Sequence, residues 1–97
     1  MRRADMQIAD LIGRKVVLDT AGPIIYLGTL HDVTAEGFWL TEADVHDRDE
    51  GNMNKELYVI EARKQGTSAN RRRVLVLRSV VTSISALDDV AVIEEKK

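Results

Sequence analysis

Residues 24–33 read IIYLGTLHDV, and the other predictions about the fold depend on this stretch. Branched aliphatic side chains favour β-strands, so we expect one long strand here. Its internal glycine, Gly28, predicts a sharp bend or the close approach of another backbone segment. The turn-forming sequence Ala21-Gly22-Pro23 precedes the strand, and Thr34-Ala35-Glu36-Gly37 follows it. The sequence therefore predicts a bent strand between two turns.

Further strands are predicted on both sides of this one. They lie at residues 14–20, 38–46, 71–77 and 80–85, and an additional edge strand is expected at Val90, Val92 and Ile93. Five short strands are too few to make two packed sheets of useful size. A strongly bent sheet that closes into a small barrel buries the alternating apolar face and protects most strand edges. The predicted fold class is therefore mainly β with minor α, a small five-stranded bent barrel.

A short helix is predicted near residues 4–12. Ile8, Leu11 and Ile12 recur at helical spacing and give one apolar face, and Gly13 is a natural stop. This N-terminal helix is expected to lead directly into the first strand.

Residues 47–70 form an inserted segment before the fourth strand. Residues 54–64 fit a helix that Asn54 caps and Gly66 ends. Three residues would share one side of such a helix: Leu57, Ile60 and Glu61. The sequence Leu57-Tyr58-Val59-Ile60 fits a strand equally well, so both alternatives stay open for this segment.

The composition narrows the class of protein. Ninety-seven residues fit one domain, and the absence of cysteine excludes disulfides, thiolate metal sites and cysteine nucleophiles. A net charge of −2 argues against a surface coated in positive charge but is compatible with a local basic stripe. The sequence predicts neither a signal peptide nor a membrane span, so we expect a cytoplasmic protein without membrane contact.

Two clusters of charged residues are candidates for chemistry. The tract Arg71-Arg72-Arg73, with Arg78, is the best signal for nucleic-acid binding, although a solvated strand entry explains it as well. Asp44 and His46 would share one strand face beside an acidic loop, but their spacing does not match a calcium loop, and a solvated loop is the better explanation. No nucleophile elbow, phosphate loop or metal-helix motif occurs. We therefore predict a protein that is not an enzyme and has no metal or cofactor.

Several motifs together resemble those of Sm-like proteins. In the first half of the chain they are Leu11-Ile12-Gly13-Arg14-Lys15-Val16-Val17-Leu18, Gly28 and Leu30, Val33, and Phe38-Trp39-Leu40. In the second half the motif is residues 74–84, a strand, a short turn and another strand. This second motif is especially similar to the bacterial Hfq version. The resemblance implies a single domain over residues 1–97, with a core at about 5–87, an insertion at about 47–70 and a tail at 88–97. It also implies that the last strand pairs with the next subunit, closing a homo-oligomeric ring of six or seven subunits that often binds RNA.

The resemblance also implies where RNA would bind. The family places an Asp in the turn after the second strand, where this chain has the turn 34–37, and an Arg-Gly or Lys-His pair near the last turn, where it has Arg78 and Ser79. Glu36 departs from the pattern because its charge opposes phosphate. The candidate RNA-binding residues are Arg78, Ser79, Arg71, Arg73, Thr34 and Glu36.

A second hypothesis is a protein-interaction module without nucleic-acid binding, which holds a protein partner through residues 47–70. A PRC-type barrel is a competing fold for this hypothesis, because Asp10-Leu11-Ile12-Gly13 and the following valine strand resemble that family's opening too. The aliphatic strands 74–77 and 80–84 also leave an alternative open. Their outward residues form a subunit interface, or the inserted helix covers them.

Overall fold

The structure is a computed structural model, which describes residues 7–50 and 53–92. Its helix and strands are β1 (Lys15–Thr20), β2 (Ile24–Val33), β3 (Gly37–Asp47), α1 (Lys55–Gln65), β4 (Arg71–Leu77) and β5 (Val81–Ala86). Short 3-10 turns lie at Ile8–Leu11, Arg48–Glu50, Arg78–Val80 and Leu87–Asp89. Within the described ranges, no helix has the length and apolar character needed to cross a membrane.

The five strands form one antiparallel sheet in the order β4-β3-β2-β1-β5. The register between β2 and β3 shifts between Leu27 and Thr29 and again between Leu30 and Asp32, and such irregularities bend a sheet. At Gly28, a Cβ atom would lie 3.1 Å from the Ala43 Cα atom. The glycine predicted to mark a bend or a close approach therefore allows β3 to pass close to β2.

The concave face of the bent sheet encloses the first hydrophobic cluster. Its buried members are Leu11, Val16, Leu18, Leu30, Phe38, Leu40, Ala43, Val76 and Ala86. Because side chains alternate along a strand, every second residue of β1, and of the ends of β2 and β3, points into this cluster. The mainly β class and the five-stranded bent sheet predicted from the sequence are confirmed.

The inserted segment forms the helix α1, which settles the open alternative at residues 54–65. The side-chain oxygen of Asn54 accepts a hydrogen bond of 2.8 Å from the Leu57 N–H, and Gly66 ends the helix with φ +91°. The buried members of a second cluster, on the opposite face of the sheet, are Val17, Ile25, Leu27, Val59, Ala62 and Leu87. The helix thus buries Val59 and Ala62 while Leu57 stays 47% exposed, so the face that packs is not the one that the sequence suggested.

Two expectations about the chain ends differ from the structure. The predicted helix at residues 4–12 is a single 3-10 turn, in which only Leu11 is buried and a reciprocal capping box joins Gln7 to Asp10; residues 4–6 lie outside the described residues. No edge strand forms at Val90 or Val92, because Leu87 packs into the second cluster and a 3-10 turn redirects the chain. Ile93 also lies outside the described residues.

Candidate functional site

The turn after β2 is a tight, self-bonded loop. The Thr34 N–H donates to the Gly37 carbonyl oxygen at 2.9 Å, and the Gly37 N–H donates to the Thr34 carbonyl oxygen at 3.2 Å. The Thr34 hydroxyl accepts a further hydrogen bond of 3.2 Å from the Glu36 N–H. These bonds hold the turn in one shape, and the side chain of Glu36 stays exposed to solvent.

The end of β4 lies directly against this turn. Gly37 pairs with Leu77, which brings the Arg78 N–H to 3.0 Å from the Glu36 carbonyl oxygen. The Arg78 guanidinium reaches across and donates through Nη2 to the Thr34 carbonyl oxygen at 3.1 Å. A side chain at Gly37 would collide with the backbone of Val76 and Leu77, so only glycine allows the two segments to approach this closely.

This arrangement gives a fixed cation at a strand end. Arg78 uses one of its five N–H groups on Thr34, which leaves the others and the full positive charge for an anionic ligand. Arg78 and Ser79 are both exposed. The structure thus brings three of the predicted residues together, namely Thr34, Glu36 and Arg78. Ser79 follows Arg78 in the chain but lines a depression beside the turn between β1 and β2.

The other two predicted residues lie apart from this group. Arg73 is five residues from Arg78, which along an extended strand corresponds to roughly 15 Å. It lines a surface depression of about 280 Å³ with His31, Asp32 and Trp39. Arg71 donates a hydrogen bond of 3.0 Å to the Asn70 carbonyl oxygen, at the far end of β4. The three candidate arginines therefore lie at separate positions along β4 and the turn that follows it.

A polar cluster is centred on Asp44 and His46. The alternation of side chains along a strand predicted that these two residues share one face of β3. The rings of His46 and Tyr58 stack with centroids 4.0 Å apart and planes 9° apart. His46 Nε2 donates to the Met53 carbonyl oxygen at 2.9 Å. The part played by Tyr58 was not predicted, because it depends on α1 folding back over β3.

Asp44 is the buried acid of this cluster, with 8% of its surface exposed. It accepts hydrogen bonds from the Ser68 N–H at 3.3 Å and from Asn70 Nδ2 at 3.5 Å, and its carboxylate lies near Tyr58. Burial raises the pKa of Tyr58 well above its usual value, and the hydrogen bond to Asp44 and its negative charge raise it further. Within the described ranges, no group of three or more His, Cys, Asp or Glu residues is arranged to hold a metal ion. We interpret the cluster as the polar contact between α1 and the sheet.

The helix is also tied to β1 by a partly buried ion pair. Lys55 Nζ donates to Asp19 Oδ1 at 2.8 Å and to the Thr20 carbonyl oxygen at 2.8 Å. Beside this contact, α1, β1 and β5 line a groove of about 680 Å³.

The two edge strands of the sheet, β4 and β5, are joined by a short turn with exposed apolar residues. Leu77 is 52% exposed and Val80 is 43% exposed, while Val74, Val81 and Ile84 pack on the first cluster. The buried residues of α1 pack against β1 and β2. The inserted helix therefore does not cover Leu77 or Val80.

The sequence and the structure were compared with known proteins. No protein-family model matches the sequence, and no curated protein matches it significantly. The chain is similar to the Sm protein of Pyrococcus abyssii in complex with a uridine heptamer, with a TM-score of 0.57 and 14% identity over 89% of this chain and 99% of that chain. It is also similar to a chain of the NatC complex bound to CoA, with a TM-score of 0.57 and 19% identity over 93% of this chain and 94% of that chain. Together with the strand order, these similarities confirm the predicted fold: the chain has the fold of Sm-like proteins.

Proposed function

We propose that the chain is a self-assembling, non-catalytic Sm-like scaffold that forms a ring of six or seven subunits and binds single-stranded RNA. The observation that carries the proposal is the contact between the Arg78 guanidinium and the Thr34 carbonyl oxygen. It joins the turn after β2 to the turn before β5, the two places where the family resemblance puts the halves of an RNA pocket. The proposal includes a cytoplasmic location and requires no cofactor.

The sheet edges support self-assembly. β4 and β5 lie at opposite ends of the strand order, so each has one row of backbone N–H and C=O groups that pairs with no other strand among residues 7–50 and 53–92. Pairing β4 of one subunit with β5 of the next is a head-to-tail contact, and such contacts close into rings when the rotation allows. The exposed side chains of Leu77 and Val80 would become buried at this junction.

The charge at the turn supports RNA as the ligand. Arg78 presents a positioned guanidinium, which hydrogen-bonds phosphate and base edges well. In a ring, identical copies of this group would be repeated around one opening, and repeated weak sites raise the overall affinity for one strand. Arg71 and Arg73 add positive charge farther along β4. The Sm protein of Pyrococcus abyssii was solved with a uridine heptamer, which makes uridine-rich RNA the first ligand to test.

The test is to measure the binding of a fluorescently labelled uridine octamer by anisotropy at several salt concentrations. We expect Arg78→Ala to weaken binding at least about fivefold and to reduce the slope of log K against log salt by about 0.7, the value for one phosphate contact on a single strand. Arg63→Ala is the matched control, because Arg63 is an exposed arginine in the last turn of α1 and its loss changes the net charge equally. Equal affinities for the Arg78→Ala variant and the unmodified chain would contradict the RNA assignment of this site.

The second candidate function is a protein-interaction module that uses residues 47–70. The observation in its favour is the similarity to a chain of the NatC complex, which is a protein assembly. In this chain, α1 is fixed to the sheet by Lys55, borders a groove of about 680 Å³ and leaves Leu57 exposed. A monomer that binds no RNA at any salt concentration would favour this candidate over the first.

A further inference from the structure

A surface cavity of about 430 Å³ lies between α1 and β3, apart from Arg78 and the turn 34–37. This volume falls in the range of roughly 300–1,000 Å³ that is common for sites of small molecules. One face of the helix and one face of the strand line it, because residues three and four apart on a helix, and two apart on a strand, point the same way. The main lining residues are Tyr58, Glu61, Ala62 and Gln65 from α1, and Asp44 and His46 from β3.

The carboxylate of Asp44 is the most deeply buried charged group that lines this cavity. Only 8% of Asp44 is exposed, and the hydrogen bonds that it accepts from Ser68 and Asn70 are long, at 3.3 Å and 3.5 Å. Among the described residues, no lysine or arginine forms an ion pair with Asp44. A buried carboxylate without a cation is costly, so a cation that enters the cavity gains a partner there.

The rest of the cavity is negative as well. Glu61 is half-buried, and its Oε1 accepts a hydrogen bond of 3.2 Å from Gln65 Nε2, a neutral donor that leaves the charge uncompensated. Gly66, where α1 ends, also lines the cavity, so the negative end of the helix dipole lies beside it. The part of the lining that the structure describes contains neither lysine nor arginine. The electrostatic potential of the cavity therefore favours a cationic ligand.

The lining fits an organic cation better than a metal ion. Protein metal sites generally need three or more ligating side chains, and the described ranges contain no group of His, Cys, Asp or Glu arranged in this way. An ammonium group needs only acceptors, which the carboxylates of Asp44 and Glu61 provide. An alkyl chain can pack on Met53 and Ala62, which also line the cavity. Two carboxylates of different burial match two ammonium groups that a short alkyl chain joins.

We propose that the cavity between α1 and β3 binds an alkyl diamine, with one ammonium group paired with Asp44 and the other with Glu61. The proposal does not depend on RNA binding or on ring formation, because the cavity contains neither Arg78 nor an edge strand of the sheet. Asp44 also accepts a hydrogen bond from the segment that follows α1, through the Ser68 N–H. A bound diamine would therefore stabilise the contact between the helix and the sheet.

The probe is putrescine, an unbranched diamine, which is titrated into the isotope-labelled chain at low ionic strength and followed by the backbone amide signals. The Ser68 amide reports on the cavity, because its N–H donates to Asp44 Oδ2. We expect its signal to shift in a saturable manner while the Thr34 amide, in the turn after β2, stays unchanged. Butanediol, the uncharged analogue, should shift neither signal. Butylamine, which has one ammonium group, should bind about two- to fivefold more weakly because it lacks the contact with Glu61.

Two variants test the carboxylates separately. Glu61→Gln should weaken putrescine binding about two- to fivefold. The matched control is Glu56→Gln, which removes the same charge from an exposed residue of α1 outside this cavity and should leave the affinity unchanged. Asp44→Asn should weaken binding at least about tenfold, because a hydrogen bond to a charged group is lost. Glu61→Gln keeps the test independent of the effect that a change at the buried Asp44 has on folding.

Three results would count against the diamine site. A Ser68 signal that does not shift with putrescine, or that shifts equally with butanediol, would overturn the proposal. Equal losses of affinity in Glu61→Gln and Glu56→Gln would also overturn it, because binding would then follow the net charge of the chain. Equal affinities for butylamine and putrescine would overturn the pairing with Glu61. The RNA-binding proposal is independent of these results and is tested with the uridine octamer.

Discussion

Among single residues, Glu42 is the described non-glycine residue with a positive φ, at 49°. It lies within β3, close to the point where β3 passes Gly28. The left-handed conformation costs an ordinary residue roughly 1–2 kcal/mol, and this cost is tolerated when the surrounding structure fixes the backbone. We therefore interpret the strained backbone of Glu42 as one of the features that bend β3.

Replacing Glu42 with glycine should relieve this conformation. We expect Glu42→Gly to raise the free energy of unfolding by about 0.5–1 kcal/mol, because the relief exceeds the extra chain entropy that a glycine loses. Urea denaturation measures the change. Thr41→Gly is the matched control on the same strand, and it should lower the stability because Thr41 has no positive φ to relieve. A lower stability for Glu42→Gly would contradict this account of the bend.

Tyr58 predicts how stability depends on pH. Its pKa is raised in the folded state by burial, by the hydrogen bond to Asp44 and by the charge of Asp44. Above pH of about 10 the unfolded chain loses the tyrosine proton while the folded chain keeps it, so the unfolded state gains relative stability as the pH rises. The contribution of this proton is fully present below pH of about 10 and is lost above it.

Tyr58→Phe removes this proton but keeps a ring to stack on His46. We expect it to lower the free energy of unfolding at pH 7 by at most about 1 kcal/mol, because the polar interaction of the hydroxyl with Asp44 is lost, and to flatten the alkaline loss of stability. Thermal denaturation between pH 7 and pH 11 measures both effects. Tyr26→Phe, which alters a tyrosine packed on the first cluster away from Asp44, is the control. An alkaline loss unchanged by Tyr58→Phe would contradict the role of Tyr58.

At the scale of elements, the strands were predictable because their composition and their flanking turns agree. β2 and β4 have the predicted bounds, since turn residues flank β2 and a continuous aliphatic run ends β4 at residues 74–77. The helix at 55–65 was not decided by its sequence, because Leu57-Tyr58-Val59-Ile60 fits either structure. Tertiary packing favours the helix, because Val59 and Ala62 of α1 cover the apolar residues of β1 and β2 on the outer face of the sheet.

The candidate sites also differ in how far the sequence predicts them, because some depend on local sequence pattern and others on tertiary packing. The family resemblance pointed to the turn 34–37 and to Arg78, and the structure brings them into contact. The grouping of Trp39 with Arg73 depends on the register between β3 and β4, which residue patterns along one strand do not determine. The prediction of an edge strand at Val90 and Val92 was wrong, because Leu87 packs into the second cluster and a 3-10 turn follows it.

The edge strands also carry a prediction about assembly. Leu77 at the end of β4 is 52% exposed, and the proposed ring buries it against the next subunit. Leu77→Lys should therefore shift the chain toward monomers, because an unpaired charge at a buried contact is costly. Leu57→Lys is the matched control, since Leu57 is 47% exposed on α1, away from both sheet edges. Sedimentation velocity compares the two variants, and an intact oligomer for Leu77→Lys would place the interface elsewhere.

For the whole molecule, the proposed self-association would compensate for the small size of the chain. A chain of 97 residues buries a limited share of its surface on folding, and pairing of the two sheet edges would add buried area without a larger core. The same pairing would repeat Arg78 around one opening. In the proposed function, RNA binding by several weak contacts would therefore depend on assembly.

Light scattering on the purified, nuclease-treated chain measures whether β4 and β5 pair between subunits. We expect this pairing to give a single species of six or seven times the chain mass of 10.9 kDa, with added mass when a uridine-rich RNA is supplied. A species of one chain mass at every protein concentration, unchanged by the RNA, would contradict it.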